Sequence, residues 1–152
     1  ANEQHGIIGQ TTVSNQVQNW GCSGSSIPIT CGYAVGCGAS NTQAIIDNCS
    51  SVSAASIAGA LVEGGFSDWV LPSRDELHKV YANIGDGSSV GAFVNFDPNG
   101  TTNDVWYWSS NEISSTHAIR VSLSDTSDPL SAGFHSSVAK VHHFNLYFVR
   151  YF

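Results

Sequence analysis

The sequence predicts a single α+β domain over residues 1–152, with two or three short helices, an antiparallel C-terminal sheet and a disulfide-stapled N-terminal third. Three observations predict this class. All four cysteines lie in the first third, a helix-capping motif precedes an apolar helical pattern near residue 73, and aromatic or alternating stretches fill the last third. A chain of 152 residues is long enough to bury one hydrophobic core.

The cysteines are Cys22, Cys31, Cys37 and Cys49. An even number so close together fits two disulfides, for which three connectivities are possible. We prefer the nested pairs Cys22–Cys49 and Cys31–Cys37, because the glycine-containing loop between the inner cysteines is flexible enough to close. Free buried thiols and a metal site remain alternatives, although the spacing lacks the CxxC pairs of zinc sites. Disulfides predict a secreted or cell-surface location.

Helix signals occupy the middle of the chain. Asn41 is a candidate N-cap for a short helix through Ile46, and a second helix is expected from Ser53 to Glu63, before two glycines. Ser73 to Glu76 forms a capping box that begins a third helix, and Gly85 would end it. The apolar residues of this third helix recur at helical spacing, namely Leu77, Val80 and Tyr81.

Strand signals dominate the rest of the chain. A short strand is expected at residues 69–71, where Pro72 ends it. Further strands are expected at residues 105–108, 117–123 and 144–152, because these stretches alternate or are rich in aromatic residues.

Composition excludes several functions. The chain has five Lys+Arg against twelve Asp+Glu, so its net charge of −7 argues against nucleic-acid binding. No apolar run approaches the roughly 18 residues that span a bilayer, so we expect no membrane insertion. Charged residues make up only 11%, and neutral Ser, Thr and Asn supply the polarity, which indicates a loop-rich domain outside the cytoplasm. No basic, apolar signal peptide is visible at the N-terminus.

Three ordered motifs give the chain a family resemblance. They are WVLPSRDEL at residues 69–77, YWSSNE at 107–112 and VRYF at 149–152, with WGC at 20–22 before them. The chain resembles the bacterial domain family named after the C-terminal domain of the collagen-like adhesin of Legionella. Its members read W-x-LPS-x-x-EL, then YWSS-x-E, then a VRAF-like tail. The resemblance covers about residues 20–152.

The resemblance implies a C-type-lectin-like fold, distantly related to formylglycine-generating enzymes. It also implies a homotrimeric surface protein that binds sulfated glycosaminoglycans and takes part in attachment and biofilm formation. Some relatives are instead variable ligand-binding proteins diversified by retroelements. The chain departs from the family at its tail, where Arg150 stands alone and two arginines are usual.

We expect no enzymatic activity. The formylglycine-generating relatives use cysteines in their C-terminal half, whereas every cysteine here precedes residue 50. The sequence has no HExxH, no G-x-S-x-G and no phosphate-binding loop, which are the motifs of common catalytic sites.

Basic residues and histidines of the last third are the candidate glycan-binding residues, namely Arg120, Lys140, His142, His143 and Arg150. Alternation along a strand would place Lys140 and His142 on one face, where they could meet sulfate or carboxylate groups. Binding should strengthen below about pH 6.5, where histidines become charged. The alternative is an ordinary solvated sheet surface. In a trimer, a weak site would be repeated and would gain by avidity.

We expect no cofactor, and residues 97–104 form a speculative calcium loop. Its oxygen ligands would be Asp97, Asn99, Asn103 and Asp104, since Ca²⁺ takes six to eight oxygens on a flexible loop. The loop lacks the spacing and bidentate glutamate of an EF-hand, and turns are built from the same residues.

The preferred interpretation is a bacterial surface adhesin domain that binds host or matrix glycans as a trimer. The alternatives are a variable receptor domain with a protein ligand, and a structural trimerisation cap of a fibrous stalk. The glutamates of the LPSRDE and YWSSNE motifs have a structural role in each of these interpretations. We expect Glu76 to cap its helix and Glu112 to satisfy backbone donors.

Overall fold

The computed structural model describes residues 5–13, 16–85, 94–97, 105–124 and 135–152. Their helices are α1 (Cys37–Asn48), α2 (Ala54–Ala60) and α3 (Arg74–Ile84). Their strands are β1 (Ile7–Gly9), β2 (Val17–Asn19), β3 (Val105–Glu112), β4 (His117–Ser124), β5 (His135–Ala139), β6 (His143–Asn145) and β7 (Val149–Tyr151). This part of the chain is therefore α+β, as the sequence predicts.

The strands form two sheets. A five-stranded sheet has the order β2-β6-β3-β4-β5, and β1 pairs with β7 in a separate two-stranded sheet. Neighbouring strands are antiparallel except β3 and β6, which are parallel. The larger sheet is therefore mixed, and the expectation of an antiparallel sheet is wrong at this one pair.

The end of the chain is two strands, where the sequence predicted one over residues 144–152. The residues between β6 and β7, Leu146 to Phe148, are buried and carry the chain from the larger sheet to the smaller one. The strand predicted at residues 69–71 is also shorter than expected. Val70 forms an isolated antiparallel bridge with Val149, so this segment docks on β7 without extending the sheet.

Helix α1 begins earlier than the sequence predicts. Its N-cap is Gly36, whose φ of 95° favours glycine. Asn41 therefore lies inside the helix, where its buried amide donates to the Gly32 carbonyl at 2.9 Å and to the Ser110 hydroxyl at 3.2 Å. The N-cap prediction for Asn41 is wrong, because this side chain holds a neighbouring loop and a strand.

The other two helices begin where the sequence predicts. Ser53 caps α2 through a capping box, although the helix ends at Ala60, sooner than expected. Ser73 caps α3, and the Ser73 backbone N–H donates to the Glu76 carboxylate at 2.8 Å. Gly85 ends α3, so the predicted start and end of this helix are both confirmed.

The Glu76 carboxylate also bonds two segments outside its own helix. It accepts hydrogen bonds from the Gly36 backbone N–H at 2.7 Å and from the Tyr151 hydroxyl at 2.6 Å. Burial and the hydrogen bond to Glu76 raise the pKa of Tyr151. One fully buried carboxylate thus joins the start of α1, the start of α3 and strand β7.

The larger sheet separates two hydrophobic clusters. Successive residues of β3 point to opposite faces, so Trp108 enters one cluster and Tyr107 the other. The first cluster is centred on Trp20, Ile45, Trp69, Leu71 and Phe148. The second is centred on Leu77, Phe96, Val121, Leu123 and Tyr147. Residues of α1 and α2 enter the first cluster, and residues of α3 enter the second.

Two disulfides close the N-terminal third. They are Cys22–Cys49 and Cys31–Cys37, so the nested connectivity is confirmed and the free-thiol and metal alternatives are wrong. Such disulfides indicate an oxidising, extracytoplasmic compartment. No helix in the described residues is long and apolar enough to cross a membrane.

Replacing Glu76 with alanine tests the role of the buried carboxylate. We expect Glu76→Ala to lower the free energy of unfolding by about 3 kcal/mol, because it leaves buried backbone and hydroxyl donors without an acceptor. Urea unfolding measures the change. Asp47→Ala is the matched control, since it removes an exposed carboxylate from α1. Equal, small effects of the two substitutions would contradict the assignment.

Candidate functional site

The five predicted glycan-binding residues do not lie on one surface. Lys140 is inside the protein, Arg150 lies on β7, and Arg120 lies on β4 of the larger sheet. His142 and His143 are exposed near the start of β6. The structure therefore separates the residues of the predicted patch.

Lys140 is a buried structural residue. Its side chain is fully buried, with the ammonium paired to the Glu112 carboxylate and donating to the Ser25 carbonyl at 3.0 Å. The ammonium also lies 4.6 Å from the centre of the Trp20 ring. The expectation that Lys140 shares a solvated face with His142 is wrong, because both lie in the turn between β5 and β6, where strand alternation does not apply.

Glu112 explains why a lysine can be buried there. Its carboxylate accepts the Ile27 backbone N–H at 2.9 Å as well as the Lys140 ammonium, so the predicted role of Glu112 as a backbone acceptor is confirmed. Each buried charge faces the other, which offsets part of the desolvation cost of both. The pair fastens residues 25–27 to the end of β3.

Arg150 is neutralised by a surface ion pair. Its guanidinium donates from Nε and Nη2 to the two Asp68 carboxylate oxygens at 2.8 and 2.9 Å, and lies 3.7 Å from the centre of the Phe66 ring. The hydrogen bond from Arg150 lowers the pKa of the Asp68 carboxyl. An anion at this position would have to compete with Asp68.

Arg120 is the basic centre of an aromatic surface. Its guanidinium lies 3.9 Å from the centre of the Trp106 ring and 4.7 Å from that of Phe144, and its Nε donates to the Ser136 hydroxyl at 3.0 Å. The exposed His142 ring lies 6.2 Å from the Phe144 ring. We call these five residues the Arg120 surface.

The sheet fixes the geometry of the Arg120 surface. Arg120 is opposite Trp108 on β3 and opposite Ser136 on β5. Trp108 is fully buried beneath the surface and packs edge-on against Phe144, with ring centres 4.9 Å apart. His143 follows the turn and precedes Phe144 on β6, so strand alternation directs it to the other face.

This arrangement can hold an anionic group. A guanidinium pairs with sulfate or carboxylate through parallel hydrogen bonds, and contacts with two rings restrict the rotamers of the Arg120 side chain. Sequence reasoning selected Arg120 and His142 but missed Trp106, Ser136 and Phe144. The sequence indicated the missed residues in part, because aromatic residues next to arginine on paired strands form such contacts.

His135 lies on the other face of the same sheet. Its ring centre is 5.6 Å from that of His78 on α3. Burial lowers the pKa of His135, and the charge of Arg74 lowers it further, while Asp75 opposes the shift. Arg74 is paired with Asp75 at 2.7 Å and lies over the Tyr33 ring.

The predicted calcium loop falls mainly outside the described residues. Asn99, Asn103 and Asp104 lie there, and Asp97 is described, with its backbone N–H donating to the Asn95 side chain at 2.9 Å. Within the described ranges, no group of three or more His, Cys, Asp or Glu side chains could hold a metal ion. The calcium site therefore stays a prediction.

Comparison with known proteins does not identify a family for this chain. No protein-family model matches the chain, and no curated protein matches its sequence. The function is accordingly inferred from the residues themselves and from the motif resemblance.

Chemical modification distinguishes the two lysines of the chain. We expect acetic anhydride to modify Lys79 in the folded protein and to modify Lys140 only after unfolding, because Lys79 is exposed and Lys140 is buried and ion-paired. Mass spectrometry of proteolytic peptides measures the extent of each reaction. Comparable modification of both lysines in the native protein would contradict the buried position of Lys140.

Protonation of His135 should lower the free energy of unfolding in mild acid. Because folding lowers the pKa of this imidazole, the folded state favours the neutral ring, and stability declines as pH falls from about 6.5 toward the lower folded-state pKa. We expect His135→Gln to reduce the slope of the melting temperature against pH. His143→Gln is the control, as an exposed histidine elsewhere, and identical slopes for the two variants would refute the role of His135.

Proposed function

We propose that the chain is a ligand-binding domain of a bacterial surface adhesin, with an anionic glycan of the sulfated glycosaminoglycan class as its ligand. The observation that carries the proposal is the Arg120 guanidinium held against the Trp106 and Phe144 rings. The guanidinium is suited to a sulfate or carboxylate, and aromatic rings can cover the C–H face of a sugar. The Ser136 hydroxyl and His142 ring add polar groups at the edge.

The proposed fold family is C-type-lectin-like. Pairing of β1 with β7, which joins the first and last described strands, supports it. The LPSRDE segment supports it too, because it forms the capped start of α3 ahead of the larger sheet, as the resemblance implies.

The negative net charge of the protein weakens the binding of an anionic glycan to a single site. Lys140 and Arg150 are paired with carboxylates, and the proposal rests on the contacts of Arg120 with the Trp106 and Phe144 rings, in a chain of net charge −7. The average surface repels a polyanion. We therefore propose that a homotrimer presents three copies of the Arg120 surface to one polymeric glycan, which raises apparent affinity without new contacts.

A protein ligand is the second candidate. Tryptophan and arginine supply a large share of binding energy in protein interfaces, and the Arg120 surface combines them. Val141, next to His142 in the chain, is 58% exposed and is an apolar side chain that a protein ligand could cover. A trimerisation cap, the third alternative, would bind neither ligand.

Substitution of Arg120 tests the glycan proposal. We expect Arg120→Gln to weaken binding to immobilised heparin by about tenfold at pH 6 and low salt, because a charge-assisted contact is lost. Arg120→Lys should recover part of the affinity, since it keeps the charge but loses the planar stacking. Surface plasmon resonance measures both, with salt and pH varied.

Arg74→Gln is the matched control, because it removes the same charge from a half-exposed position on α3. Equal losses for Arg74→Gln and Arg120→Gln would indicate general electrostatic attraction and contradict a site at Arg120. Absence of heparin binding by the parent protein at pH 6 would refute the glycan ligand. Binding to a protein partner that is insensitive to salt would favour the second candidate.

A further inference from the structure

A second, apolar groove lies between β1 and α3, away from Arg120. It has a volume of about 270 Å³ and is lined by Ile7, Gly9, Val35, Lys79, Val80, Asn83 and Ile84. This volume is slightly below the range of drug-sized ligand pockets, so the groove suits a small molecule. Most of these side chains are apolar, while Lys79 and Asn83 are exposed at the rim.

Fixed elements form all three walls of the groove. Strand β1 is held by its ladder with β7, from Ile7 opposite Tyr151 to Gly9 opposite Val149. Helix α3 packs its inner residues into the second hydrophobic cluster. A pocket whose walls are already in place binds its ligand with a smaller ordering cost.

The third wall carries Val35 and is anchored on both sides. The Cys31–Cys37 disulfide closes its loop. The Ala34 carbonyl accepts the Ser73 hydroxyl at 2.9 Å, and the Gly36 N–H donates to Glu76. Val35 therefore presents a half-exposed apolar side chain from a loop that has little freedom to collapse onto α3.

Lys79 gives the groove a charge preference. Unlike Arg74, Lys140 and Arg150, it forms no ion pair with any of the residues that the structure describes. The exposed Lys79 side chain lies at the mouth of the apolar cleft, where its ammonium can pair with an anionic ligand. The Asn83 amide, which donates to the Lys79 carbonyl at 2.7 Å, keeps its oxygen as a second polar group at the rim.

From the apolar walls and the exposed ammonium of Lys79, we infer that this groove binds a small amphipathic organic anion. The apolar body of the ligand lies against Ile7, Val35 and Ile84, and its carboxylate or sulfonate pairs with Lys79. This site is separate from the proposed glycan surface, and either can fail while the other holds.

Octanoate and octanol form a matched pair of probes. We expect the intact protein to bind octanoate at one site and octanol about fivefold more weakly, the difference that one exposed ion pair supplies. Lys79→Gln should reduce octanoate affinity to that of octanol and leave octanol affinity unchanged. Val35→Trp should abolish binding of both, because its ring fills the groove. Isothermal titration calorimetry measures the affinities.

NMR of the unmodified protein keeps the test independent of any variant's folding. Octanoate should shift the methyl resonances of Ile7, Val35 and Ile84. Arg74→Gln controls for loss of a positive charge elsewhere on α3 and should not alter octanoate binding. Shifts confined to other methyl groups, no binding at millimolar octanoate, or equal affinities of octanoate for the parent and Lys79→Gln would each overturn the inference.

Discussion

The structure depends on one buried carboxylate, that of Glu76. Its two oxygens accept hydrogen bonds from the Gly36 and Ser73 backbone N–H groups and from the Tyr151 hydroxyl. These donors belong to the start of α1, the start of α3 and the last strand. Hydrogen bonds to a charged acceptor are about twice as strong as neutral ones, and buried donors are costly to leave unmade. The same contact fixes the loop that carries Val35, and thus one wall of the apolar groove.

A second carboxylate, that of Glu112, also joins distant segments, at the end of β3. It binds Lys140 and the Ile27 N–H and so attaches the disulfide-closed N-terminal third to the sheet. The two glutamates occupy the two most recognisable motifs of the chain, LPSRDE and YWSSNE. Both motifs therefore have a structural role. The residues of the candidate binding surface lie between and after them in the chain.

Contacts between residues that are close in sequence could be predicted, whereas contacts between residues far apart in sequence could not. Ser73 and Glu76 are three residues apart, so their capping box was predictable from the chain. Lys140 pairs with a carboxylate 28 positions away, and the turn that buries Lys140 interrupts the strand alternation on which its predicted exposure rested.

Likewise, the Arg120 surface draws on the four strands β3 to β6, and no sequence signal indicates that β6 lies beside β3. Phe144 reaches Arg120 because β6 lies beside β3 in a parallel pairing that local patterns could not indicate. The disulfide pairs were predictable since short loops limited the choices. The split of the C-terminal strand was not, because burial of Leu146 to Phe148 is a property of the assembled core.

Because the net charge of −7 repels a polyanion, the glycan proposal depends on where on the protein the ligand binds. The four tryptophan indole N–H groups report the position of binding directly by NMR. Those of Trp20, Trp69 and Trp108 are hydrogen-bonded to backbone carbonyls, and Trp106 lies beneath Arg120. On addition of a heparin oligosaccharide at pH 6, we expect the Trp106 indole to shift most and those of Trp20 and Trp69 to stay in place. A shift of Trp69 without Trp106, or no indole shift at saturating ligand, would contradict binding at the Arg120 surface.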